Sequence, residues 1–111
     1  MAGAWRLVGW GWLGAAMAVA GACVTMPQPM PSDVERARQK WPEASLESLN
    51  LGKHTYETRC SGCHRLYAPA AHPPEEWAKA IAEMSDRAKL RPEEQQAVLQ
   101  FLVTLSGRPS T

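Results

Sequence analysis

Cys60-Ser61-Gly62-Cys63-His64 is the stretch on which the reading of this 111-residue chain turns. Thiols three positions apart lie about one helical turn from each other. Cys60 and Cys63 can therefore both form thioethers to the two vinyl groups along one side of a haem. His64 follows at once, so its imidazole can turn to the iron as the proximal ligand. A C-x-x-C-H run is the attachment signature of a c-type haem, and one covalent haem c is the first expectation.

Other uses of these residues fit less well. A structural zinc site takes four ligands, usually as two spaced pairs, and the sequence has no second C-x-x-C. A thioredoxin-like redox pair needs a βαβ setting, and no stretch alternates with period two. A Cys60–Cys63 disulfide suits an oxidising compartment, but it leaves His64 and Cys23 without roles.

Toward the N-terminus the composition changes. Met1 to Arg6 is short with one positive charge, and Leu7 to Ala20 is apolar. That run has the length of a signal-peptide h-region and falls short of the roughly 20 residues of a spanning helix. Ala20-Gly21-Ala22-Cys23 then gives an A-x-A-like cleavage site followed by a cysteine. This is lipobox-like, with Ala20 where Leu is usual, and predicts a lipoprotein signal peptide over 1–22 with lipidation at Cys23. Ordinary secretion to a soluble periplasmic form is the alternative. The chain has three cysteines. Two on haem and one on lipid leave none unpaired. Removal of 1–22 leaves 89 residues with 11 basic and 11 acidic side chains. A neutral balance argues against nucleic acid as a partner, and so small a chain gains stability from an added apolar body.

Within 23–31, Pro27, Pro29 and Pro31 favour extended polyproline II. The segment reads as a short, stiff tether, with the domain over 32–111. Ser32 and Glu35 form a capping-box pattern for a helix to about Lys40, with Trp41 packing on the domain. A second helix, begun at Ser48 or Asn50, runs into Cys60 with Leu49, Gly52 and Tyr56 on one face. Gly52 costs about 1 kcal/mol inside a helix, and close approach of another helix would be a reason to keep it. Residues 65–74 read as a loop, with a carbonyl near Pro69 expected to accept the Nδ1 proton of His64. Pro74 sits at a helix N1 position, and Trp77, Ala80, Ile81 and Met84 share one face. Pro92 opens a last helix with Val98, Phe101, Leu102 and Leu105 as its stripe, ended by Gly107 and Pro109. The fold class is all-α, with three to four short helices.

Gly52-x-x-x-Tyr56-x-x-x-Cys60-x-x-Cys63-His64, a Pro-rich loop, Trp77-x-x-x-Ile81-x-x-Met84 and a C-terminal helix together resemble small class I, monohaem cytochrome c domains of bacteria. The resemblance spans Leu46 to Leu105. It implies a cytochrome c-like fold in which the helix before the haem crosses the last helix at a small residue, with Gly52 facing Phe101 or Leu102. It also implies His/Met ligation, making His64 proximal and Met84 distal. His64 and Met84 lie only 20 positions apart, a shorter spacing than in many class I domains. His72 and His54 are the nitrogen alternatives for the distal place, which can also be open. Met26 and Met30 precede the domain and are poorer candidates. Trp77 is a core residue whose indole N–H could also reach a haem propionate.

The function so implied is non-enzymatic: a membrane-tethered periplasmic carrier of single electrons, working with redox partner proteins at the membrane or in the periplasm. The rivals are a haem-bearing subunit of an oxidoreductase complex, a haem sensor with an open distal site, and a metal or disulfide module without haem.

Overall fold

Proline placement starts three of the four helices. A computed structural model describes residues 25–60 and 66–109. Pro31, Pro74 and Pro92 each occupy the first turn of a helix, where the missing N–H costs nothing and the fixed φ suits the helix. The helices are α1 (Pro31–Arg38), α2 (Leu46–Arg59), α3 (Pro74–Met84) and α4 (Pro92–Ser106), with a 3-10 turn over Pro69–Ala71. No strand occurs among the described residues, so the all-α expectation stands.

Two starts differ from the sequence reading. α1 begins two residues earlier than Ser32 predicted, with Met30 at the N-cap. Asp33, not Glu35, reaches back, its Oδ2 accepting the Met30 N–H at 2.7 Å. α2 is capped by Ser45 instead of Ser48 or Asn50. Ser45 and Ser48 exchange backbone N–H to hydroxyl bonds of 2.9 and 3.0 Å. Ser48 Oγ also donates to the buried Gln100 Oε1 of α4 at 2.8 Å.

α4 is the surface on which the rest assembles, touching α1, α2, α3 and the 3-10 turn. Val98, Phe101 and Leu102 are fully buried, each burial contributing about 1.5–3 kcal/mol. They form the main core with Tyr56 of α2, Trp77 and Ile81 of α3, and Met26. A smaller cluster joins Val34, Ala37, Ala44 and Leu49, and Trp41 packs against both.

The α2–α4 crossing depends on Gly52. A Cβ there would lie 2.0 Å from the Ala97 carbonyl oxygen and 2.8 Å from Phe101 Cβ. The expected close approach is real, and the facing residues are Ala97 and Phe101. At the far end of α4, Gly107 has φ −92°, so the helix stops without a left-handed cap.

The described part of the proline-spaced segment, 25–30, lies on the domain. Met26 is 5% exposed within the main core. Gln28 Nε2 donates to Asn50 Oδ1 at 2.8 Å, and Arg108 Nη2 to the Gln28 carbonyl at 3.0 Å. Next to it, Asp33 is buried at 1% exposure between the guanidinium groups of Arg36 and Arg108. Arg36 further donates to the Thr104 carbonyl at 2.9 Å. Burial pushes the Asp33 carboxyl up, but hydrogen bonds from Arg108 and the Met30 N–H, the Arg108 charge and the Arg36 bond outweigh it, holding it below its ordinary value. No described helix is long and apolar enough to cross a membrane.

Candidate haem site

Cys60 terminates α2, its N–H bonded to the Tyr56 carbonyl at 3.2 Å. The side chain is half-buried against the main core. Burial pushes its thiol up and the Arg59 charge only partly opposes this, the reverse of an activated thiolate. Arg59 fixes this helix end. Its Nη2 donates to the Ala88 and Lys89 carbonyls at 2.8 and 3.0 Å, and its Nη1 lies 3.6 Å from Glu94 Oε2. Lys89 has φ 55°, uncommon for a residue with a side chain. Cys63, His64 and Cys23 lie outside the described residues, as does the signal segment 1–22.

The chain after the motif is pinned at two points. Tyr56 Oη donates to the Tyr67 carbonyl at 2.7 Å and accepts the Tyr67 N–H at 3.1 Å. Burial pushes the Tyr56 phenol up to about 12, although its bond to Tyr67 opposes this. Trp77 Nε1 donates to the Pro69 carbonyl at 2.8 Å. That bond departs from the sequence reading in one respect. The indole is spent on Pro69, not left for a propionate.

A cavity of about 200 Å³ opens beside this loop, lined by Tyr67, His72, Glu76, Trp77, Ala80 and Met84. Its walls are largely apolar, and they bring together the two distal candidates, His72 and Met84. The His72 ring meets Tyr67 and Trp77 edge-on, each at 5.2 Å between centroids. His72 Nδ1 lies 3.0 Å from Glu76 Oε2, an arrangement that leaves Nε2 as the ring's acceptor nitrogen. His54 is exposed on α2 and is not among the lining residues. Met30 is exposed and Met26 is in the core, and neither lines the cavity.

These residues fit a covalent haem. A half-buried cysteine ends a helix on the apolar core, and a largely apolar cavity carries one imidazole and one thioether in its wall. The family model for dihaem cytochrome c matches residues 56–111. The chain belongs to the dihaem cytochrome c family. A haem-binding c-type cytochrome domain is thereby established, while the match is not to the monohaem class I group that the sequence resembled. No curated protein and no solved structure matches the chain. The family match begins at Tyr56, so α1, Met26 and the Gly52 crossing lie ahead of it.

Two features of the site escaped sequence reasoning. The Tyr56 hydroxyl and the Arg59 guanidinium both act on backbone groups that no side-chain pattern announces. The His72–Glu76 contact gave no such signal either, because His72 lies in extended backbone ahead of α3.

Proposed function

We propose that the chain is a periplasmic carrier of single electrons with one haem attached through Cys60 and Cys63, His64 as proximal ligand and Met84 as distal ligand. The observation that carries this reading is the apolar cavity with Met84 in its wall, within the family-matched segment. The bound haem supplies the Fe(III)/Fe(II) couple. The protein's part is to exclude water with Trp77, Ala80 and Met84, and to hold the attachment helix through Tyr56 and Arg59. Thioether ligation favours a higher potential than bis-His ligation. The oxidised protein is expected to show a sulfur-to-iron charge-transfer band that Met84→Ala abolishes. A band untouched by that substitution removes Met84 from the iron.

A second reading of the distal ligand rests on the His72–Glu76 contact. A carboxylate on Nδ1 orients a ligating imidazole and raises its basicity. In that case the band is absent from the wild type, and His72→Ala opens the iron to added ligands.

The single C-x-x-C-H within these 111 residues supports one haem, whereas the matched family is described as dihaem. A haem-to-protein ratio of two would overturn the one-haem reading. A role as the haem-bearing subunit of an oxidoreductase complex keeps the same site and predicts co-purification with a catalytic chain. Lipidation at Cys23 places the domain on a membrane beside its redox partners, which raises their effective concentration. Cys23→Ser is expected to release the protein to the soluble periplasmic fraction, and a wild type already soluble there removes the tether.

A further inference from the structure

Tyr67 is 54% exposed on an irregular segment, yet both of its backbone polar groups are held by one buried side chain. The Tyr56 hydroxyl donates to its carbonyl and accepts from its N–H, at 2.7 and 3.1 Å. Tyr56 itself is fixed. Its ring is 3% exposed, meeting Trp77 edge-on at 6.0 Å and Phe101 at 6.4 Å. It also lies one helical turn before Cys60, whose N–H bonds to its carbonyl. Tyr67 in turn packs on His72, and His72 on Trp77. One hydroxyl therefore connects the helix that ends at the first haem thiol to the loop that carries one wall of the cavity. Phenylalanine would fill the same core space, so packing does not account for a hydroxyl here.

We propose that Tyr56 is a positioning residue: by gripping both backbone groups of Tyr67, its hydroxyl sets where the 66–73 loop holds His72, and so how open the iron's distal side is to outside ligands. The inference rests on the haem reading above. An untethered loop samples positions farther from α3, and the distal side then admits small ligands that the pinned loop keeps out.

Tyr56→Phe in the holo-protein tests this, with cyanide binding to the oxidised form and amide exchange at Tyr67 as readouts. In the wild type the Tyr67 amide is expected to be protected despite its exposure. The substitution should speed its exchange about tenfold, the effect of losing one to two hydrogen bonds, and cyanide should bind faster by a similar factor. Thr58→Ala, which removes only a hydroxyl bonded to the His54 carbonyl on the exposed side of α2, should change neither. Unchanged cyanide binding and Tyr67 exchange in Tyr56→Phe would overturn the proposal, as would an unprotected Tyr67 amide in the wild type. Equal effects from Thr58→Ala would overturn it too, by showing general loosening of α2. Haem present with these negative results sinks this inference alone. A protein with no covalent haem sinks the functional reading with it.

Discussion

The two ends of α4 hold their neighbours by opposite means. In its first half, α2 crosses at Gly52 with backbone against backbone, the Ala97 carbonyl being the nearest group. Near its end, α1 and the C-terminal residues meet through a buried carboxylate gripped by two arginines. The first contact is a matter of shape and tolerates no added atom. The second is a matter of charge and depends on every partner being present. Apolar crossings gain from proximity alone, whereas a buried ion stabilises only when fully paired.

The largest expected effect breaks the first contact. Gly52→Val places a branched side chain into the Ala97 backbone, which cannot yield as a flexible side chain would. Overpacking costs typically 1–3 kcal/mol and more against backbone, so a loss of about 4 kcal/mol is expected, read as failure to accumulate folded holo-protein. Asp33→Ala breaks the second contact and leaves two guanidinium groups facing each other. Both arginines are about one-third exposed, so water softens the loss, and about 2–3 kcal/mol is expected in urea unfolding. If Asp33→Ala proves costlier than Gly52→Val, the contrast between the two ends fails.

Acidification sharpens the same comparison without a substitution. The folded Asp33 carboxyl titrates below its ordinary value. Its contribution is therefore present above the unfolded value and fades as pH falls through the folded one. Wild-type unfolding midpoints should drop in that acid range more steeply than those of Asp33→Asn. At the other extreme, Tyr56 titrates at about 12 instead of 10.0. Its contribution is full below the unfolded value and is lost as pH rises from there through the folded one, a loss that Tyr56→Phe should lack. The smallest effect belongs to the Lys53–Glu57 pair on the exposed side of α2, 3.2 Å apart. Lys53→Ala should cost less than about 0.5 kcal/mol.

The two ends also differed in how far the sequence announced them. A glycine four and eight residues before tyrosine and cysteine lies on one helical face, so the crossing at Gly52 could be anticipated from spacing. The apolar faces of Trp77–Met84 and Val98–Leu105 were visible for the same reason. Asp33 and Arg108 are 75 positions apart, and neither has a periodicity that points to the other. Met26 stood in a proline-spaced run that could be read as non-helical backbone. Whether that backbone leaves the domain or lies along it depends on a partner surface built by later residues. Met84 and His72 could both be picked out as distal candidates, because a thioether and an imidazole are recognisable in isolation. Their meeting in one cavity, with Glu76 behind His72, required the turn at Pro69–Ala71 to bring the loop back over α3.

That α4 touches every other described element has a consequence for timing. A chain made from its N-terminus exposes Cys60, Cys63 and His64 well before Pro92–Ser106 exists to fold upon. During that interval the motif has no α4 to fold against. Burial of the segment that leads into the motif therefore waits for α4, which follows it in the chain.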